Sequence, residues 1–404
     1  MKRTFLTLIL LATLAGCTVF SPAATATPLP TQTPVPPTAL QPVENTATPE
    51  PPTATPIPPT ETATATPLPP QTLGPTGFPE NVDPLTGLIV ADPSILNRRP
   101  VIVKIQNLPR DSRPQWGLSA ADLVYEYYTE MGTTRFAALF YGNNTEKAGP
   151  IRSARFIDVN FIRGYKAFFV FGSAYEGVYS QLVSSEFADR LILEQKDSCP
   201  PLCRIEPSSH NYLVVDTGKM NDYLASRKLD NSRQNLDGMY FAVDAPQGGS
   251  PAPTIFARFS SAIYNRWDYD PASGSYLRSS DTQNDLTGGN AEVYAPLTDR
   301  NTGEQISAKN LVVLFVEHTW VVKNEVTEVV NMTLLGEGKG YIARDGQIYP
   351  VTWQRLRNQD VISLVDADGN PFPFKPGNTW FEVMGLNSAV TQTDTGMRFT
   401  HIMP

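Results

Sequence analysis

Histidine and cysteine are scarce in this 404-residue chain, with three of each. No His-Glu-x-x-His motif appears, and no second Cys pair or His cluster at zinc-ligand spacing. A Gly-x-Ser-x-Gly elbow, a Ser-x-x-Lys pair and a Gly-x-x-x-x-Gly-Lys-Ser/Thr phosphate loop are also missing. These absences remove the usual hydrolytic frameworks, and neither a metal nor an organic cofactor is expected. Positive charge is short as well. Thirty-two Lys and Arg stand against 40 Asp and Glu, a formal net charge of −8, which argues against non-specific binding of nucleic acid or anionic headgroups. Long apolar runs are lacking beyond residue 17; Leu311 to Val316 is the longest and has the length of a strand.

What is present begins at the N-terminus. Met1-Lys2-Arg3 is a basic start, Phe5 to Leu14 is an apolar run broken by threonines, and Leu14-Ala15-Gly16-Cys17 follows. These are the parts of a secretory signal, too short to span a bilayer. Leu-Ala-Gly-Cys resembles the bacterial lipobox, in which cleavage exposes an acylated cysteine. Residues 1–16 therefore read as a lipoprotein signal peptide and Cys17 as a lipidated (palmitate-type) N-terminus, which predicts an extracytoplasmic protein anchored to the outer face of a membrane. Removing residues 1–16 takes Lys2 and Arg3 away, making the mature chain more acidic still. Acyl chains, at least two of them, must then supply the membrane affinity.

Residues 17–78 are rich in Pro, Thr, Ala, Gln and Glu, with repeats such as Thr-Ala-Thr-Pro. Such a composition offers too little apolar surface to offset the entropy of ordering, so a disordered linker is expected. In polyproline II form its ~60 residues reach on the order of 150 Å as an upper bound.

The remainder has the length of one large or two medium domains. The turn-rich stretch Asp244 to Pro253 divides it. The fold class expected is α+β: an N-terminal α/β-type domain with a mixed sheet (79–245), followed by a smaller, mainly antiparallel β domain (251–404). In the first, Pro100–Gln106 and Ala167–Gly172 read as buried strands, and Leu123–Glu130 with Thr134–Tyr141 as a hairpin around Met131-Gly132-Thr133. Helices are expected at Ile151–Arg163, Gly177–Phe187 and Met220–Arg227. In the second, Ile255–Asp270, Ser275–Arg278, Asn310–Val322, Glu325–Leu334, Gly340–Arg344, Val361–Val365 and Thr379–Met384 have strand composition. Gly336-Glu337-Gly338-Lys339-Gly340 lies between strand-like segments and reads as a hairpin turn.

Cys199 and Cys203, four apart, suggest a small local disulfide outside the cytoplasm, with free thiols the alternative. The unusual segment is Gly149-Pro150-Ile151-Arg152-Ser153-Ala154-Arg155. If Pro150 opens a helix, Arg152 and Arg155 occupy a first turn that ordinarily favours acids. With Arg163 they fall on one side, and guanidiniums beside unpaired helix N–H groups make an anion site. Against this, Glu126, Glu130 or Asp158 are placed to pair with both arginines and pin the segment to the sheet. Arg135 and Ser153 complete that candidate set, and His210-Asn211 in a Ser/Asn-rich loop add a weaker one. His318 and His401 receive no role.

The segments Asp83-Pro84-Leu85-Thr86-Gly87, Arg113-Pro114-Gln115-Trp116-Gly117-Leu118, Ala121-Asp122-Leu123-Val124-Tyr125-Glu126, Gly132-Thr133-Thr134-Arg135-Phe136 and Gly149 to Arg155 follow one another in a recognisable order. The series resembles the YerB-like lipoproteins, a bacterial family whose domain has no established function. Ser209-His210-Asn211 is similar to that family's Pro-His-Asn segment, with Ser209 departing from it. Lys375-Pro376-Gly377-Asn378-Thr379-Trp380 is similar to its smaller C-terminal domain. The resemblance implies an envelope lipoprotein in two domains and no known activity. The expected function is a binding or scaffolding module for cell-wall glycan or peptide, or for an envelope protein. The alternative is a hydrolase or transferase on an anionic envelope glycan or peptide, with Arg152 and Arg155 holding the anion and Glu126, Glu130 or His210 moving protons.

Overall fold

The computed structural model describes residues 71–205 and 212–404. The signal segment, Cys17, the linker as far as residue 70, and His210-Asn211 lie outside the described residues. Before residue 250 the chain supplies β1 (Val101–Gln106), β2 (Leu123–Tyr128), β3 (Thr134–Phe140), α1 (Asp158–Gly164), β4 (Phe168–Val170), α2 (Glu176–Val183) and α3 (Met220–Ser226). Beyond residue 250 come β5 (Thr254–Arg258), β6 (Tyr264–Asp270), β7 (Ser275–Asp281), β8 (Asn310–Lys323), β9 (Glu328–Thr333), β10 (Gly336–Arg344), β11 (Gln347–Arg355), β12 (Thr379–Gly385) and β13 (Gly396–Thr400).

Among the described residues strand dominates, and three α-helices have seven or eight residues each. All six residues of β1 and of β2 are buried, which is how strands covered on both faces read: near-continuous apolar runs instead of alternation. The β2–β3 hairpin closes through Met131 and Gly132, both at positive φ (47° and 75°), the left-handed geometry for which glycine carries no steric penalty.

The larger sheet has twelve strands, running β11-β10-β8-β12-β2-β3-β1-β4 through its centre. It is mixed: β8–β12, β12–β2 and β1–β4 are parallel, and the other pairs in that run are antiparallel. The C-terminal strand β12 pairs with β2 from Thr379 opposite Leu123 to Val383 opposite Tyr127. The turn-rich stretch at 244–253 thus joins two segments that share one sheet. Chain beyond residue 250 also builds a second sheet of seven strands, with β7-β6-β5-β13 at its centre. The two sheets pack face to face, Trp267 of β6 meeting Trp380 of β12 edge-on at 5.2 Å between centroids. One continuous buried core runs through both.

Three expectations are corrected. The helix expected from Ile151 begins only at Asp158. Residues 151–155 are instead held extended: the Arg152 N–H donates to the Lys104 carbonyl, the Gly172 N–H to the Arg152 carbonyl, and Ala154 bridges Ala174. Backbone pairing on two sides outweighs the helix signal of a proline. Second, Gly336–Gly340 is no turn but the start of β10. A Cβ at Gly338 would stand 2.7 Å from the Trp353 indole nitrogen, so the glycine makes room for a ring on the neighbouring strand. Third, order begins before residue 78. Thr72–Leu73 pair with Phe241–Ala242, and Phe78 packs edge-on against Phe241.

Candidate functional site

The β2–β3 turn brings Glu130 beside Arg135 at the base of β3 and Arg155 in the extended segment before α1. Arg155 Nε donates to Glu130 Oε2 at 2.8 Å and its Nη2 to Oε1. Arg135 Nη2 donates to the same Oε1 at 2.9 Å, and its Nη1 to the Ser153 carbonyl at 2.8 Å. Arg155 Nη1 is tied to the Ala154 carbonyl at 2.8 Å. Two guanidiniums thus share one carboxylate. Although their side chains are only 16% and 12% exposed, both line a depression of about 340 Å³ with Ser153, Ser173, Met131, Tyr175 and the start of β9. The Ser153 and Ser173 hydroxyls are exposed and hydrogen-bonded to each other at 2.8 Å.

The charges determine what this site can do. Burial pushes the Glu130 carboxyl up, but the Arg135 charge and the Arg155 hydrogen bonds outweigh it and hold the group below its usual range. A carboxylate held ionised in this way is a poor general acid. Burial, and then the neighbouring Arg155 charge, bring Arg135 down to about 10. It remains cationic at neutral pH, yet that cation is in excess over what Glu130 can neutralise. Burial lowers Arg152 in the same direction, and its charge is felt at Arg135.

Beneath the depression lies a group that sequence reasoning missed. Lys104 of β1 is fully buried, its ammonium bonded to the Tyr127 hydroxyl and 3.2 Å from Asp158 Oδ1. Burial depresses it to about 7. Asp158 Oδ2 also accepts the Arg155 N–H at 2.6 Å, so the Lys104–Asp158 pair positions the Arg155 backbone. A lysine within Val-Ile-Val-Lys-Ile-Gln was the available signal. Glu328 was missed too, for its partners are about 200 residues away: Oε2 accepts the Tyr128 hydroxyl at 2.5 Å and the Met131 N–H at 2.6 Å.

Several expected members lie elsewhere. Arg163 pairs with Glu186 at 2.8 Å. Glu126 is wholly buried between the sheets, accepting from Asn107 at 3.0 Å, Thr134 at 2.7 Å and Arg278 Nη2 at 2.7 Å. Across the β12–β2 pair it neighbours Glu382, which burial, then the charge of Glu126, raises to about 8. The Arg278 guanidinium is held over Trp380 at 4.5 Å and Trp267 at 5.2 Å. Glu126 is therefore a structural member of the core and cannot handle protons for a ligand at the arginines. Cys199 and Cys203 are joined by a disulfide that closes a local loop. Among the described residues no three His, Cys, Asp or Glu side chains converge as metal ligands, and no helix is long and apolar enough to cross a membrane.

Comparison with known proteins matches two family profiles. Residues 85–230 match "Protein of unknown function (DUF3048) N-terminal domain" and residues 255–381 the corresponding C-terminal domain. A Bacillus subtilis (strain 168) protein named "Putative lipoprotein YerB" is 28% identical over 313 residues, spanning 74% of this chain and 85% of the relative. The crystal structure of the YerB protein from Bacillus subtilis superposes with a TM-score of 0.63 at 25% identity, covering 76% of this chain and 97% of that one. The two DUF3048 profiles, together with the sequence and fold match to the Bacillus subtilis YerB protein, make this chain a member of the YerB-like family.

Proposed function

We propose that the protein is an extracytoplasmic lipoprotein, tethered through acylated Cys17, whose folded part is a binding module for envelope material. The linker from Cys17 to residue 70 carries that module away from the bilayer. The expected domains 79–245 and 251–404 act as one body, because a second domain that lends β12 to the first sheet has no independent edge on which to move. The name of the Bacillus subtilis relative supports the lipoprotein reading. So does the signal-like N-terminus.

The observation that carries the binding reading is the sharing of Glu130 by Arg135 and Arg155. Of the five N–H groups on Arg135, two donate among the described residues, and a guanidinium with donors to spare at the wall of a depression suits a charged polar ligand. The test is retention of the full-length Cys17→Ser protein, which has no acyl chain to hold it, on a washed, membrane-free envelope fraction, with chemical crosslinking to identify what holds it. Retention that saturates with added protein supports the module. A protein that stays in solution with every envelope fraction and crosslinks to nothing contradicts it.

A further inference from the structure

The depression at Arg135 has a second charged wall. Glu328 enters it from β9, with Val326, Thr327 and Val329 beside it. Glu328 Oε2 is engaged by Tyr128 and Met131, whereas Oε1 takes no hydrogen bond among the described residues. The charged side chains lining the depression therefore balance, Arg135 and Arg155 against Glu130 and Glu328. Each wall still presents unused capacity: spare guanidinium N–H groups on one side, a carboxylate oxygen on the other. The rim is apolar and open, with Met131 47%, Tyr175 45% and Val326 85% exposed.

Resting on the reading of this depression as the binding site, we propose that its ligand is a zwitterionic amino-acid or short-peptide group. The ligand carboxylate meets Arg135 and Arg155, its ammonium meets Glu328, and a small aliphatic side chain lies on Met131 and Val326. A dianionic phosphate fits less well, since it must compete with Glu130 for the same guanidiniums and adds negative charge to a balanced site. A ligand bearing both signs leaves that balance intact and uses both walls. The Ser153–Ser173 hydroxyl pair supplies donors and acceptors for an amide between the two ends. A volume of about 340 Å³ stands near the small end of ligand pockets, about 300–1,000 Å³, which suits one or two small residues better than an oligosaccharide.

The test uses four probes with the full-length protein, followed by NMR or calorimetric titration. These are dialanine, N-acetyl-dialanine (carboxylate alone), dialanine amide (ammonium alone) and inorganic phosphate. Dialanine is expected to bind about tenfold tighter than either single-charge probe, a difference of about 1.4 kcal/mol. Arg135→Gln should weaken dialanine and N-acetyl-dialanine alike. Glu328→Gln should bring dialanine down to the level of N-acetyl-dialanine while leaving N-acetyl-dialanine unchanged, a selective loss that misfolding would not produce. If N-acetyl-dialanine or phosphate binds as tightly as dialanine, the zwitterion proposal is overturned while the arginine site stands. If no probe binds, the proposal is again overturned. The site itself fails if Arg135→Gln also leaves envelope retention unaltered.

Discussion

Glu382 lies directly beside Glu126 across the parallel β12–β2 pair, two carboxylates in register on neighbouring strands with one arginine, Arg278 of β7 in the second sheet, reaching both. Two like charges so placed cannot both stay ionised without cost. Burial and the Glu126 charge raise Glu382 to about 8 from an ordinary 4.5, so at neutral pH it carries a proton that it would release in the unfolded chain. The native state binds more protons than the unfolded state between those two values, and this contribution to stability falls as pH rises from about 4.5 through about 8. Glu382→Gln, neutral at every pH, should gain stability relative to wild type as pH increases, by on the order of a few kcal/mol at pH 9. Urea denaturation at pH 5, 7 and 9 measures the difference directly; a difference independent of pH contradicts the shared-proton reading.

His318 and His401 give the opposite slope. Burial lowers them to about 4 and about 3 from 6.5. Each stays neutral in the fold while the unfolded chain takes up a proton below 6.5, so stability present above that pH is lost as pH falls toward 4. His401→Phe should flatten the acid limb of the melting temperature between pH 6.5 and 4; an unchanged limb would show that His401 is not held neutral.

The buried Lys104 balances Asp158 and, through it, the Arg155 backbone. Lys104→Met leaves the Asp158 charge without its partner in the core, at a cost of about 3–5 kcal/mol. Chemical denaturation should show that loss, and the double variant Lys104→Met/Asp158→Leu should recover part of it. A single variant as stable as wild type would mean that the Lys104–Asp158 contact does not support the core.

Much of the architecture was legible because it rests on local signals. Val101–Gln106 reads as a covered strand from its apolar run, and Met131-Gly132 marks the hairpin because left-handed φ is needed there. Gly338 was misread because a glycine looks the same whether it permits a turn or makes room for a ring; Trp353, the partner that decides, lies fifteen residues away. Pro150 misled in a similar way, since strand-like pairing with Lys104 and Gly172 is invisible from neighbours in the chain. The insertion of β12 beside β2 depends on register across more than 250 residues. Glu130, Arg135, Ser153 and Arg155 were named from charge pattern and family resemblance and do converge. Glu126 was named on the same grounds, but its alternation along β2 points it into the core, where Arg278 waits on a distant strand.

The tether is tested separately from the fold. If acyl chains on Cys17 supply the attachment, as proposed, a Cys17→Ser protein should leave the membrane fraction after export with an unchanged melting temperature. Continued membrane association of that exported variant would contradict the anchor.

Binding at the shared carboxylate is read from saturable retention of the Cys17→Ser protein, with and without Arg135→Gln, on the same washed, membrane-free envelope fraction, with circular dichroism confirming that both are folded. Arg135→Gln should lose at least tenfold in affinity, about 1.4 kcal/mol or more, as expected for removal of a charge-assisted contact. Equal retention of the two folded proteins would contradict binding at this site.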